Sequence, residues 1–173
     1  MNLLGSPSDR TGTQRARCPP RRACARAGFT VHIMHTELSA NDQALVARAE
    51  EIVTIYADGA NHTTAAAARA ADGRIVTGLN VYHFTGGPCA ELVVMGSAAA
   101  TGIRHLETIV AVADSGRGIL SPCGRCRQVL LDYYPDIKVI VSTGNSALAV
   151  PISDLLPWGN KWDLESGSQP VQS

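Results

Sequence analysis

Two short cysteine motifs constrain the fold of this chain more than any other feature. Cys89 stands in Pro88-Cys-Ala-Glu91, and the other two cysteines stand in Pro122-Cys123-Gly-Arg-Cys126. Each motif lies at the predicted start of a helix, where the helix dipole favours a thiolate over a thiol. Cys123 and Cys126 are three positions apart, so they share a helix face and can bind one ion together. If both motifs serve one site, the fold must bring two helix N-termini to the same place.

The predicted elements are helices and strands in alternation. Ser39 and Asp42 form a capping box that opens the first helix, and Asp72-Gly73 marks a hairpin whose first strand is rich in alanine. Such a strand has a shallow face on which a helix can pack closely. In order, we expect a helix over 40–57, a hairpin of strands 62–70 and 74–81, a helix over 89–101, a strand over 108–113, a helix over 123–134, a strand over 137–141, an edge strand over 147–150 and a helical turn over 152–156.

This alternation predicts the fold class. A strand-helix-strand-helix-strand order implies parallel pairing through right-handed crossovers. We therefore expect an α/β fold, a three-layer α/β/α sandwich around a mixed, mostly parallel sheet of about five strands. Ligand sites of open α/β sheets lie at the carboxyl ends of strands, where the following helices begin. Cys89, Cys123 and Cys126 all lie at such junctions, which links motifs more than thirty residues apart.

The first 33 residues differ in composition from the rest of the 173-residue chain. They carry six arginines against one acid and show no apolar periodicity, so we expect residues 1–33 to be a disordered or non-native extension. A transit peptide would have a similar composition, but Pro19-Pro20 and the lack of an amphipathic pattern disfavour one. We expect one domain over 34–163, followed by a flexible tail over 164–173.

Charge and composition exclude several function classes. The formal net charge is zero, but residues 34–173 are mildly acidic and only 5% of the chain is aromatic, which disfavours a nucleic-acid channel with stacking side chains. No apolar run approaches the roughly 18 residues of a membrane span. Five cysteines without a secretory signal favour metal binding or catalysis over disulfides. We expect a cytoplasmic protein that binds neither nucleic acid nor membrane.

The residue types of the two motifs are those of a catalytic zinc site. Three thiolates can bind Zn²⁺ while its fourth position stays open for water, and Glu91 can reach that water as a general base and then acid. Zinc deaminases of cytosine or adenine rings carry a His or Cys ligand, then x-Glu, then Pro-Cys-x-x-Cys, and this chain has the whole signature. Three thiolates leave a net negative charge, which we expect the flanking Arg125 and Arg127 to offset.

Two other interpretations of the motifs stay open. The cysteines could form a closed structural zinc site whose fourth ligand is Cys18, Cys24, His83 or His105. The chain would then be a structural zinc protein or a catalytically silent binding module, with its basic head as a nucleic-acid arm. Glu91 discriminates between these interpretations, because a silent scaffold has no need of the carboxylate.

The longer sequence context resembles the cytidine deaminase superfamily, in its small branch with only cysteine ligands. The likeness covers about 38–162, and the stretches 80–94 and 117–132 are similar to the blasticidin-S deaminases almost letter for letter. The resemblance implies zinc held by Cys89, Cys123 and Cys126, with Glu91 as the proton shuttle. It also implies a homotetramer with active sites near the subunit boundaries.

The resemblance also suggests substrate contacts. Arg117 falls where a substrate carboxylate would be bound, a role that suits its bidentate guanidinium group. Thr63 keeps the hydroxyl of a substrate-contacting Ser, and Asn80 is expected either to contact the sugar or base or simply to end its strand. Ala90 and Ser121, which adjoin the cysteine motifs, complete the expected set.

Two departures from the family pattern leave the substrate open. General cytidine deaminases hold the ribose with Asn-x-Glu, whereas this chain has Asn80-Val81-Tyr82. Asn160 stands where the blasticidin enzymes have a substrate-contacting Tyr. We therefore expect hydrolytic loss of ammonia from a cytosine nucleoside, which is cytidine or deoxycytidine in pyrimidine salvage or blasticidin S in antibiotic resistance.

Overall fold

The computed structural model describes residues 36–163 and 168–171. The predicted extension over 1–33 lies outside these residues, as does part of the predicted tail, of which 168–171 form a strand. The described elements are β1 (Thr36–Glu37), α1 (Ala40–Tyr56), β2 (Thr64–Ala70), β3 (Ile75–Leu79), α2 (Ala90–Ala100), β4 (Leu106–Ala113), β5 (Gly118–Leu120), α3 (Gly124–Tyr133), β6 (Lys138–Ser142), β7 (Ala147–Pro151), α4 (Ile152–Leu155), β8 (Lys161–Asp163) and β9 (Ser168–Val171).

Seven of these strands form one sheet in the order β1-β7-β6-β4-β2-β3, with β5 paired to β4, while β8 and β9 pair with each other. The mixed α/β class is confirmed, but the expectation of mostly parallel pairing needs correction. Within the described residues, β4–β6 is the one parallel pair of the sheet. The alternation of elements misled because β2 lies between β3 and β4 and is antiparallel to both, so the connection through α2 does not join neighbouring strands.

The alanine-rich strand β2 allows helices to pack on both faces of the sheet. Ala65 and Ala67 lie in the apolar cluster beneath α1, together with Leu45, whereas Ala66 and Ala68 lie in the cluster beneath α2 and α3. All four alanines are fully buried. Small side chains on both faces bring the helix layers close to the sheet, as expected for a three-layer sandwich.

Polar contacts fix the first helix on this sheet. The capping box is confirmed: Asp42 accepts hydrogen bonds from the backbone amide of Ser39 at 3.2 Å and from its hydroxyl at 2.8 Å. Arg69 of β2 donates to the same carboxylate at 3.1 Å and to Thr108 at 3.1 Å. In the part of the chain that the structure describes, no helix has both the length and the apolar character needed to cross a membrane.

The elements that carry the cysteines meet near the carboxyl end of β4. A Cβ atom at Gly78 would lie 2.9 Å from Cγ1 of Val93, so this glycine lets α2 pack closely on β3. The short strand β5 turns back along β4 and places Leu120 opposite Ala111. Cys123 follows three residues later and lines the same cavity as Ala111, so the start of α3 lies near the carboxyl end of β4.

Candidate active site

The three cysteines of the predicted site are brought together by two helix N-termini. Cys89 is the N-cap residue of α2 and Cys123 that of α3, and neither side chain caps its own helix. Cys126 follows in the first turn of α3 and is fully buried. The Sγ atom of Cys123 lies 3.7 Å from that of Cys89 and 3.5 Å from that of Cys126. All three ligand atoms lie within 4.8 Å of one another.

These sulfur distances fit a tetrahedral zinc ion. Zinc–sulfur bonds of about 2.3 Å place neighbouring ligands roughly 3.8 Å apart. Among the described residues, the cluster consists of the three cysteines alone, so His83 and His105 do not supply a fourth ligand. Cys18 and Cys24, the other candidates for a closed site, lie outside the described residues. The donor set therefore suits an ion with one open position.

The electrostatics of the sulfur cluster also call for a cation. Burial, with the nearby Glu91 carboxylate, raises the pKa of the Cys126 thiol. For Cys123, burial raises the pKa, but hydrogen bonds from the backbone amide of Cys126 and from neighbouring groups outweigh it, so the pKa is lowered. Three thiolates at these distances repel one another, and a bound cation would relieve that repulsion.

The two arginines that flank Cys126 have different surroundings. Nη2 of Arg125 lies 3.7 Å from the Sγ atom of Cys89 and donates a 2.8 Å hydrogen bond to the carbonyl of Gly87. Arg127 donates instead to the carbonyls of Pro122 and Leu155, at 2.9 and 3.1 Å. Arg125 is thus placed to offset thiolate charge, while the contacts of Arg127 fasten the start of α3 to α4.

Glu91 lies in the first turn of α2 and is only 6% exposed. Burial raises the pKa of its carboxyl group, and the smaller influences of Cys126 and Arg125 act in the opposite direction. A raised pKa lies closer to neutral pH, and a carboxyl group with such a pKa can both accept and release a proton under working conditions. Its side chain therefore suits the predicted proton shuttle.

Glu91 and two of the cysteines line a cavity of about 320 Å³. The remaining lining comes from the loop between β3 and α2, from the segment before α3 and from β2 and β4. The full lining is Thr64, Asn80, Val81, Tyr82, His83, Gly86, Gly87, Pro88, Cys89, Glu91, Ala111, Leu120, Ser121 and Cys123. A larger cavity of about 740 Å³, between α1 and the β4–β5 turn, contains none of the predicted metal ligands.

The predicted substrate contacts are only partly brought to this cavity. Asn80 and Ser121 are among its lining residues, whereas Thr63, Ala90 and Arg117 are not among them. Ala90 is fully buried at the start of α2. Thr64, the neighbour of Thr63, lines the cavity instead.

Apart from Asn80 and the possible fourth ligand His83, the residues of the loop over 80–88 had no predicted role, although this loop supplies much of the cavity lining. Its shape depends on Gly87, because a Cβ atom there would lie 1.7 Å from the carbonyl oxygen of Val81. Tyr82 and His83 of this loop line the cavity. One available signal was position: the loop is the connection that leads directly into the first cysteine motif.

Comparisons with known proteins agree with this geometry. The family described as "Cytidine and deoxycytidylate deaminase zinc-binding region" matches residues 39–143. Blasticidin-S deaminase of Bacillus cereus is 32% identical over 129 residues, which cover 69% of this chain and 92% of that protein. Cytidine deaminase of Mycobacterium tuberculosis is 41% identical over 80 residues, which cover 45% of this chain and 59% of that protein.

Solved structures give the same result for the fold. The crystal structure of cytidine deaminase from Mycobacterium leprae superposes with a TM-score of 0.57 at 30% identity, covering 69% of this chain and 99% of that chain. The enzyme from Burkholderia pseudomallei superposes with a TM-score of 0.58 at 29% identity, covering 69% and 98%. By sequence and by fold, the chain belongs to the cytidine and deoxycytidylate deaminase family, and it is a hydrolase that acts on carbon–nitrogen bonds.

Proposed function

We propose that the protein is a zinc-dependent deaminase of a cytosine nucleoside. It replaces the 4-amino group of cytidine, deoxycytidine or blasticidin S by a carbonyl group and releases ammonia. One observation carries the proposal: three cysteine sulfurs converge beside a buried Glu91, and two of them line the same cavity as that carboxyl group. The names of the relatives, which include both cytidine deaminases and a blasticidin-S deaminase, support this substrate class.

Cys89, Cys123 and Cys126 would hold the zinc ion. When bound, zinc supplies Lewis-acid activation of a water molecule for attack on the ring. Glu91 takes up a proton at its carboxylate and delivers it to the nucleobase, first as base and then as acid, which its raised pKa favours. Arg125 offsets negative charge on the sulfur of Cys89, from which its guanidinium nitrogen is 3.7 Å away.

The cavity determines which molecules reach these groups. A volume of about 320 Å³ is at the lower end of the range for small-molecule sites, which suits a nucleoside. Ala111 and Leu120 provide apolar surface for a base, while Asn80 and Ser121 provide polar groups that can fix its orientation. The cavity thus offers a small substrate both shape and hydrogen bonds.

We also propose that the protein is a cytoplasmic homotetramer. Tyr82 and Phe84 of the cavity loop are 66% and 88% exposed, and large exposed aromatic side chains commonly mark contact surfaces. Cysteine ligands remain reduced in the cytoplasm, which supports that location. Light scattering of the purified chain measures the assembly directly, and a monomer would contradict this part of the proposal.

A side-by-side ultraviolet assay of cytidine and blasticidin S tests the substrate proposal on the full chain with measured zinc content. Faster turnover of blasticidin S would assign the protein to antibiotic resistance, and faster turnover of cytidine would assign it to pyrimidine salvage. A zinc-loaded protein that leaves cytidine, deoxycytidine and blasticidin S intact would overturn the proposed substrate class.

A further inference from the structure

Arg117 was expected to bind a carboxylate of the substrate, but its guanidinium group already has partners within the chain. Nη2 donates to the Asp114 carboxylate at 2.5 Å and to the carbonyl oxygen of Thr63 at 3.0 Å. The positive charge is therefore paired, and Arg117 is not among the described residues that line the cavity. This arrangement suits a residue that lies outside the cavity and fixes the position of residues that line it.

The Thr63 peptide connects Arg117 to the cavity. Its carbonyl oxygen accepts a second hydrogen bond, 3.0 Å long, from the backbone amide of Asp114. Its own amide donates to Oδ1 of Asn80 at 2.7 Å, and the next amide, of Thr64, donates to the same atom at 2.9 Å. The β4–β5 turn therefore donates hydrogen bonds to the carbonyl group of the backbone segment 63–64, and the Asn80 side chain accepts hydrogen bonds from its two amide groups.

These contacts determine which atoms Asn80 presents to a ligand. Backbone amides only donate hydrogen bonds, so the side-chain oxygen of Asn80 must face Thr63 and Thr64. The backbone of Asn80 is also engaged, its amide with the Thr64 carbonyl at 2.9 Å and its carbonyl with the His62 ring at 2.6 Å. Within the described residues, the side-chain nitrogen Nδ2 remains the one polar group of Asn80 without a partner, on a residue that lines the cavity.

We propose that the Asp114–Arg117 pair is a positioning device for Asn80. It holds the Thr63 peptide so that the Asn80 amide presents N–H donors to an acceptor oxygen of the nucleoside. This inference rests on the proposed function and makes it more specific, because the device acts on any cytosine nucleoside and needs no carboxylate on the substrate. Arg117 is accordingly a positioning residue rather than a substrate ligand.

The test is a double-mutant cycle with cytidine, a substrate that has no carboxylate. We expect Arg117→Gln and Asn80→Ala each to raise KM for cytidine about three- to tenfold with kcat little changed, as for the loss of one hydrogen bond in binding. The double variant should be no worse than Asn80→Ala alone, since both changes remove the same contact. Arg117→Lys, which can still donate to the Thr63 carbonyl, should restore part of the affinity.

The control is Arg74→Gln, which removes an exposed arginine paired with Asp72 at 2.7 Å in the β2–β3 turn and should leave KM unchanged. If Arg117→Gln does not fold, Asp114→Asn tests the same pair, with thermal unfolding as the check.

If Arg117→Gln raises KM only for blasticidin S, Arg117 binds the carboxylate of that substrate, and the inference is overturned. If the increases in KM caused by Arg117→Gln and Asn80→Ala multiply in the double variant, the two residues act independently, and the inference is overturned as well. A wild-type chain inactive on every cytosine nucleoside would overturn the proposed function itself, and this inference with it.

Discussion

The sulfur atoms of Cys89 and Cys123 lie 3.7 Å apart, although 34 positions separate the two residues in the chain. Their backbones stand at the N-cap positions of α2 and α3, two helices that pack on the same face of the sheet. A helix start carries about half a positive charge, so each position favours a thiolate. The geometry of the proposed metal site thus follows from the meeting of two helix N-termini.

Replacing Cys123 tests whether this cluster binds zinc. We expect Cys123→Ser to lower the zinc content from about one ion per chain to near zero, because two remaining thiolates are too few for a stable tetrahedral site. Mass spectrometry of the purified protein measures the metal. Cys24→Ser is the matched control: Cys24 lies outside the described residues and would be a ligand only in a closed structural site, so this variant should keep its zinc. Full zinc occupancy in Cys123→Ser would contradict the proposed ligand set.

Replacing Glu91 separates catalysis from metal binding. We expect Glu91→Gln to keep its zinc and to lower kcat by about 10²- to 10⁴-fold, because the amide cannot carry the proton. Metal analysis and the ultraviolet assay are made on the same sample. Glu51→Gln on α1, an exposed residue paired with Arg48, should behave as wild type. Loss of zinc along with activity would instead indicate that Glu91 is a ligand.

Local signals predicted the helices well but not the path of the sheet. The helix expected over 40–57 is observed over Ala40–Tyr56, because its capping box and apolar spacing are both local features. In contrast, β5 has only three residues, Gly118–Leu120, too few to show a period. The insertion of β2 between β3 and β4 depends on pairing between distant segments, which no local pattern reveals.

In the candidate site, too, some residues could be predicted from local sequence, whereas the roles of others depend on how distant segments pack. The three cysteines and Glu91 were predictable because their chemistry requires those residue types at a recognisable spacing. Arg117 was assigned to the substrate by resemblance, but its Asp114 partner and its hydrogen bond to Thr63 depend on how the β4–β5 turn packs. Tyr82 had no predicted role, and His83 was considered only as a fourth zinc ligand, because nothing in a loop sequence says which side chains face a cavity.

Replacing Arg125 and replacing Arg127 should have different effects on zinc affinity, although both arginines were predicted to offset the charge of the thiolates. Arg125 lies 3.7 Å from the Cys89 sulfur, so we expect Arg125→Gln to weaken zinc affinity by about 10- to 100-fold, the usual effect of losing an outer-shell partner. Arg127 binds two backbone carbonyls, so Arg127→Gln should lower thermal stability and leave zinc affinity nearly unchanged. Competition with a zinc-binding dye measures both affinities. Equal losses of affinity would contradict the distinction.

Gly87 should be needed for the shape of the cavity loop. Alanine at this position would place its Cβ atom 1.7 Å from the Val81 carbonyl oxygen. The backbone would have to shift, and residue 87's own carbonyl, which accepts a hydrogen bond from Arg125, would move with it. We expect Gly87→Ala to lower both thermal stability and kcat/KM. Gly96→Ala is the control, because nothing lies within 4 Å of its Cβ position, and alanine in a helix should stabilise by up to about 1 kcal/mol. Normal kinetics in Gly87→Ala would show that the loop can shift without consequence.

Asp42 should make the stability of the fold depend on pH at the acidic end. Burial raises the pKa of this carboxyl group, but hydrogen bonds from Ser39 and Arg69 outweigh it, so the pKa lies below its usual value. A group whose pKa is lowered by folding stabilises the folded state above its unfolded pKa of about 3.9, and that contribution is lost as the pH falls through the folded value. We expect Asp42→Asn to lower the free energy of unfolding by about 1 kcal/mol at pH 7, as for one or two lost hydrogen bonds.

The same change should have progressively less effect below about pH 4, because the carboxyl group is protonated first in the unfolded chain and, at lower pH, in the folded protein as well. Urea unfolding of both proteins at a series of pH values measures the difference. Glu51→Gln, which removes an exposed charge on the same helix, controls for the general effect of net charge. A constant difference between wild type and Asp42→Asn from pH 7 to pH 3 would mean that packing or capping, rather than the ionised pair with Arg69, carries the contribution of Asp42.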